Sequence, residues 1–329
     1  MLQGQWETFN PSGEVQLEKE SEASVVAPHH KIPCGVAERP YQSLLAECPS
    51  GGHIGPPRNA SDQPTSLKSF LKWPGGKRWF VEKHSDFLPI AIPGRYIEPF
   101  LGGGSVFFAL RPKTSLLADA CPDLVYAYRG IRNQLTEVLS ILRHHAASHD
   151  ANYYYYVREQ EPVRVAERAA RFIYLNRTCF NGIYRVNKRG KFNVPMGSRV
   201  SVFREEDTFR LWSAALKAAE LRLADFAEVI DEAVAGDFVF ADPPYTVRHN
   251  NNGFIKYNEV LFSWHDQLRL HECLVKAKAR GVDVLSTNAN HESVRALYKS
   301  GFTQTVVSRY SSIAGSAAHR EKFEELVIV

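Results

Sequence analysis

The chain has 329 residues, enough for one large domain or two modest ones, and 44% of them are apolar, as in proteins that bury a core. A net charge of +4 excludes a chain-wide polybasic character, so any nucleic-acid surface has to be a local patch. Five cysteines (Cys34, Cys48, Cys121, Cys179, Cys273), odd in number and without CxxC or zinc spacing, argue against a disulfide framework and for free thiols in a reducing cytoplasm.

Residues 1–65 are rich in Glu, Gln, Ser, Pro and Gly and show neither helical nor strand periodicity. They are expected to form a disordered or low-complexity extension. They lack a basic start followed by an apolar stretch, so no secretory signal is expected. No apolar run approaches the ~18 residues that span a bilayer. The organised pattern begins near Leu67. LKWPGGKRWF (Leu71–Phe80) carries a Pro-Gly-Gly turn, after which Lys77 opens a helix. RYIEPF (Arg95–Phe100) reads as a strand entering the glycine-rich turn LGGGS, with a helix through VFFALR behind it. TSLLAD (Thr114–Asp119) is a second buried strand, ending on an acid. The span 124–223 breaks this rhythm, being helical, aromatic and rich in arginine. It reads as an inserted subdomain of helices plus one hairpin, whose turn is Asn187–Gly190 with Gly190 at positive φ. FVFADPPY and VDVLSTN (Val282–Asn288) are further buried strands, separated by the amphipathic HDQLRLHECLVKAKARG, which closes on Gly281. TQTVVSRY and FEELVIV are closing strands. This alternation implies an α/β fold with a mostly parallel, doubly wound sheet built from 66–123 and 224–329. Such sheets bind ligands at the carboxyl ends of their strands.

The residues with chemistry to offer lie at those ends. EPFLGGGS (Glu98–Ser105) has the form Phe-x-Gly-x-Gly between a strand and a helix. Glycines there let the backbone approach a ligand and leave helix N-terminal amides available. A plain strand-to-helix turn is the alternative, and the missing GxGxxG spacing disfavours a nicotinamide cofactor. Asp119 can accept hydrogen bonds from ribose hydroxyls, or simply cap the next helix. Trp73 and Lys77 can close over a small ligand, or merely flank a surface turn. Asp-Pro-Pro-Tyr is more specific. At average residue usage it arises at roughly one position in 10⁵, and here it ends an apolar strand. The Asp242 carboxylate can accept a hydrogen bond from an amino group. The Pro243 carbonyl can accept another, because Pro244 fixes the local geometry and has no N–H to compete. Tyr245 offers a flat face for stacking. The four residues make a socket for a planar ring with an exocyclic NH₂.

LKWPGGK, IEPFLGGGSVFF, LADA, YLNRTCFNGIYRVNKRGKFNVPMG, FADPPY and FIKYNEVLFSWHDQ occur in this order. With them, the chain from about Leu67 to Val329 resembles the Dam family of DNA adenine-N6 methyltransferases, in the α-type motif arrangement. The resemblance implies a Rossmann-like methyltransferase sheet with an inserted, mostly helical DNA-recognition subdomain. It implies S-adenosylmethionine (SAM) as methyl donor, no metal, double-stranded DNA as partner, and a monomeric bacterial or phage-encoded enzyme of the cytoplasm. It places Trp73, Lys77, Glu98, Pro99, Phe100, Gly102, Gly104, Asp119 and Asp242 at the cofactor, and Asp242, Pro243, Pro244 and Tyr245 in the catalytic motif. The target base must then leave the duplex and stack on Tyr245.

DNA contact is expected in the insert, where Arg185, Asn187, Lys188, Arg189 and Lys191 crowd one hairpin beside Tyr184 and Phe192. By the resemblance, Arg185 reads a guanine, Ile183 is an apolar intercalating position and Lys72 touches the outer base pair. The remaining lysines bind phosphate, and the expected target is GATC-like. Two alternatives stand beside this reading. One is cytosine-N4 or RNA-base methylation on the same fold, since DPPY only requires a planar amino group. The other is a catalytically silent DNA-binding relative, against which the intact Asp242, Tyr245, Gly102, Gly104 and Asp119 argue.

Overall fold

A computed structural model describes residues 67–187, 189–199, 201–205, 207–246, 262–310 and 322–329. The expected 1–65 extension, Lys188, and the part of the FIKYNEVLFSWHDQ run before Phe262 lie outside the described residues. The apolar runs become β1 (Tyr96–Glu98), β2 (Ser115–Asp119), β4 (Phe238–Ala241) and β5 (Asp283–Ala289). An unforeseen strand, β3 (Ala219–Leu223), joins them, and β6 (Gln304–Tyr310) and β7 (Lys322–Ile328) complete one sheet. The strand order is β3-β2-β1-β4-β5-β7-β6. Pairing is parallel from β3 through β5, and β7 lies antiparallel between β5 and β6. The order reverses between β1 and β4, whose following loops therefore open side by side, the usual ligand position in such sheets.

Helices cover both faces, so the central strands are buried throughout. Strand alternation divides the core in two. Tyr96, Leu117, Phe238 and Phe240 face one side, which is filled by α1 (Arg78–Lys83), α2 (Ser105–Leu110), α3 (Pro122–Asn133), α4 (Leu135–Ala147), α5 (Ala151–Glu159), α6 (Val165–Thr178) and α7 (Phe209–Leu216). Ile97, Leu116, Val239 and Ala241 face the other, against α8 (Phe226–Asp231), α9 (Trp264–Ala279) and α10 (Glu292–Leu297). Helix α9 starts at a capping box, Ser263 with Asp266, and Gly281 at φ +83° follows its end as expected.

The span read as an insert differs from expectation at both ends. Helix α3 lies on β2 and β3, and Arg129 and Arg132 donate hydrogen bonds to the Leu221 and Ala219 carbonyls of β3. Strand β3 is the sheet's edge. Its Glu220 and Leu223 are exposed, so it lacks the continuous apolar run by which its neighbours are recognised. Helices α3–α7 share one core with the sheet. Beyond them projects the expected hairpin. Val186 pairs with Phe192, the Asn187 N–H donates to the Lys191 carbonyl at 2.8 Å, and Gly190 has φ +74°.

Candidate active site and DNA interface

Asp242 follows β4 directly. Lys77, at the start of α1, reaches it with Nζ 2.7 Å from Oδ1. The local sequence explains the reach. Gly76 N–H closes a turn onto the Trp73 carbonyl at 3.1 Å, with Pro74 second and Gly75 third at φ +76°, a type II pattern. Nζ also donates to the Gly75 carbonyl at 3.0 Å and lies 4.9 Å from the Tyr245 ring centre. The Thr287 hydroxyl, on β5, donates to the same Oδ1 at 2.7 Å. Tyr245 donates its phenol proton to Glu325 Oε2 on β7 at 2.6 Å, and Lys77 Nζ is 3.6 Å from that oxygen. One cation thus stands between two carboxylates. Burial lifts the Asp242 carboxyl above its usual value, and the Lys77 ammonium pulls it back.

The turn after β1 is held from several sides. Asp119 accepts from the Gly102 N–H at 3.0 Å and from the Cys121 N–H at 2.9 Å, one on each oxygen. Tyr128 donates to the Gly102 carbonyl at 3.1 Å. Gly102 and Gly104 both have positive φ, +46° and +62°. A Cβ on Gly102 would lie 2.7 Å from Trp73 Cδ1, and one on Gly104 would lie 2.8 Å from the Tyr128 hydroxyl. Glycine is therefore required by close approach as well as by backbone conformation. Asp119 consequently fixes the turn, keeping further acceptor capacity on each oxygen. Glu98 is buried and accepts a hydrogen bond from Tyr96 at 2.9 Å; burial holds its carboxyl well above the usual range. Pro99 and Phe100 lead out of β1. Phe100 stacks on Phe226 (5.3 Å, 27°) and meets Phe262 edge-on at 5.6 Å. This trio packs with the α8–α10 core, whereas Trp73 packs with the other.

The insert meets this edge through Lys72. Asn176 Oδ1 accepts from the Lys72 N–H at 3.0 Å, while its Nδ2 donates to the Lys72 carbonyl at 2.8 Å. A Cβ on Gly182 would lie 2.6 Å from Lys72 Cδ. Asn181 and Gly182, at φ +54° and +64°, turn the chain so that Phe180 and Ile183 stand 53% and 37% exposed. Burial and the Arg199 cation depress the pKa of Lys72, and Arg204 adds to the local positive charge. Arg185 is exposed and donates Nε–H to Asn193 Oδ1 at 3.0 Å. Arg189 is exposed, and Lys191 pairs with Glu161 at 2.8 Å. Asn187 uses its Oδ1 to accept from the Arg189 and Lys191 amides, so that oxygen shapes the turn.

Sequence reasoning missed Thr287, Glu325, Asn176, Arg177 and Phe180. Arg177 is buried, bonded through both terminal nitrogens to Asp207 and also to the Phe70 and Val202 carbonyls. The available signal was polar residues inside otherwise apolar stretches: STN in β5, EE before LVIV, and NR within FIYLNRTCF.

A family model described as D12 class N6 adenine-specific DNA methyltransferase matches residues 73–313. The chain is 34% identical to the type II methyltransferase M.MjaIII of Methanocaldococcus jannaschii, over 80% of this chain and 99% of that protein. It is 30% identical to the type II methyltransferase M1.LlaDCHI of Lactococcus lactis subsp. cremoris, over 80% and 95%. It is 31% identical to a DNA adenine methylase of Vibrio cholerae, over 79% and 95%. These matches decide for adenine N6 over cytosine N4, for DNA over RNA and for an enzyme over a silent relative. With the sheet order and the DPPY edge, they show that the chain belongs to the D12 class of N6 adenine-specific DNA methyltransferases.

Proposed function

We propose that the chain transfers the methyl group of SAM to N6 of an adenine flipped out of double-stranded DNA, within a GATC-like site. The observation that carries this reading is the Lys77–Asp242–Tyr245 network beside the Gly102–Asp119 turn at the point where strand order reverses. When bound, SAM supplies a sulfonium methyl open to attack by an amine. The residues suit such a cation: two carboxylates face one ammonium, so the edge keeps a surplus negative charge. Trp73, Lys77, Gly102, Gly104 and Asp119 are proposed to hold it, with Glu98, Pro99 and Phe100 shaping the floor.

Lys77 and Thr287 both bond Oδ1 of Asp242, which turns Oδ2 to the adenine amino group. With the Pro243 carbonyl as second acceptor, the N6 lone pair is localised and aimed. The gain is chiefly orientation. Asp242 acts ionised: as the N–CH3 bond forms the S–CH3 bond breaks, its electron pair staying on sulfur, and the surplus N6 proton then passes to the Asp242 carboxylate and on to solvent. Pro244 fixes the carbonyl and Tyr245 stacks the ring.

In the insert, the exposed Arg185 is proposed to read guanine through its two terminal nitrogens. Ile183 enters the base stack and Lys72 contacts the outer pair. Asn187, Lys188, Arg189 and Lys191 serve the phosphate backbone. The enzyme acts as a monomer in the cytoplasm, where its DNA lies. Expression in a methylation-free host with base-resolved long-read sequencing tests this. N6-methyladenine in one short GATC-containing motif is expected. Cytosine marks, or no mark, would sink the reading.

A further inference from the structure

Tyr245 lies beyond the end of β4 in a segment without regular secondary structure, so the backbone alone does not fix its ring. Its phenol is held from a distant strand: Glu325, 80 residues on, accepts at 2.6 Å. The sheet topology makes this possible. The parallel strands all end at the carboxyl edge, but β7 runs the other way, bringing the start of the strand there. Glu325 pairs in register with Ala289, the last residue of β5, and is 3% exposed beside Leu326, Val327 and Ile328. A carboxylate buried in such company is unfavourable by several kcal/mol unless it is bonded. Its partners include the Tyr245 phenol and, farther off, the Lys77 ammonium.

We infer that Glu325 is a positioning residue for methyl transfer, fixing the Tyr245 ring, through its phenol, in the plane against which the flipped adenine stacks. This role rests on the reading of Tyr245 as the stacking platform. The contact needs an acceptor oxygen at this point on β7, which glutamine also supplies and alanine does not.

Single-turnover methyl transfer from tritiated SAM to duplex DNA, with SAM and DNA dissociation constants and thermal melts, tests the role. The proteins compared are wild type, Glu325→Ala, Glu325→Gln, Tyr245→Phe and the Glu325→Ala/Tyr245→Phe double variant. Glu325→Ala and Tyr245→Phe should each slow transfer about tenfold, the scale of one hydrogen bond to a charged group. Glu325→Gln should stay within about threefold of wild type and the double variant should be no slower than the slower single; the DNA dissociation constant should hold within about twofold, and any rise in the SAM dissociation constant should be equal in Glu325→Ala and Glu325→Gln, which lose the same charge. Transfer by Glu325→Ala at the wild-type rate overturns the role. So do losses that multiply in the double variant, or a Glu325→Gln as slow as the alanine, which would assign the effect to charge on Lys77. Tyr245→Phe deletes the same bond from its other end if Glu325→Ala fails to fold. The parent reading is judged on wild type alone. A wild type that makes no N6-methyladenine removes both, whereas an active wild type with an unaffected Glu325→Ala removes only the positioning role.

Discussion

The carboxyl edge of the sheet and the tip of the hairpin both carry charged residues, in opposite physical states. At the edge, the Lys77 and Glu325 side chains are each 4% exposed and that of Asp242 17%, and each is bonded to the others or to β5. At the tip, Arg185, Arg189 and Lys191 are exposed, and Lys191 holds a solvent-facing ion pair. The difference matches the two tasks proposed for these regions. Aiming a lone pair at a methyl group needs atoms placed before the reactants arrive. Tracking a phosphate backbone needs charges that can shift and exchange counterions.

The comparison is broken most severely at Asp242. Asp242→Ala is expected to lower methyl transfer by about three orders of magnitude or more, with SAM and DNA binding largely kept; radiolabel transfer beside equilibrium binding measures both. The wild-type rate should also show an acid limb above the ordinary aspartate value of about 3.9, since burial raises Asp242 and its protonated form cannot accept from N6. Next is the junction between the two regions. Arg177→Ala takes the ion-pair partner from the half-buried Asp207, leaving it the Arg204 N–H, and strips the Phe70 and Val202 carbonyls of a donor; it should destabilise the fold by about 3 kcal/mol in urea titrations. His145, buried on α4 within the insert, follows. Burial, with the His144 and Arg171 charges, depresses its pKa from 6.5 to about 4. It is neutral when folded and takes a proton more readily when unfolded. Its stabilisation is complete above pH 6.5 and is lost as pH falls towards 4, by about 3 kcal/mol in all. Urea midpoints across that window, compared between wild type and His145→Asn, would expose this dependence. A smaller effect belongs to Arg185→Ala, which should relax sequence choice at one base by about 1–3 kcal/mol; an unchanged motif profile would remove its reading role. The smallest is Lys191→Ala, which should lower the salt slope of DNA binding by about one without changing the motif.

Sequence patterns carried most of the sheet, because β1, β2, β4 and β5 are apolar runs bounded by turns and helices. Strand β3 escaped notice since an edge strand buries only one face, and AELRL keeps Glu220 in solvent. The same logic divides the site. WPGGK, the glycine turn and DPPY are contiguous, and each has a local physical reason that a sequence displays. Glu325, Thr287 and Asn176 act across elements. Their partners follow from strand register and helix placement, which no local pattern encodes. Asn187 and Asp119 were legible as polar residues at a hairpin turn and a strand end, yet their backbone hydrogen bonds emerge only from the folded turns.

Asn176 has one further consequence. It grips both backbone polar groups of Lys72, and Lys72 is followed directly by Trp73, whose ring lies against Gly102. The segment proposed for DNA recognition and the segment proposed for the methyl donor are therefore consecutive residues of a single clamped strip. If duplex binding stiffens that strip, the cofactor meets a chain already ordered, and thermodynamic linkage requires the same factor in the opposite direction. Loosening the clamp with Asn176→Ala should shrink the two mutual enhancements equally, so the enzyme would lose communication between its ligands before it lost either one.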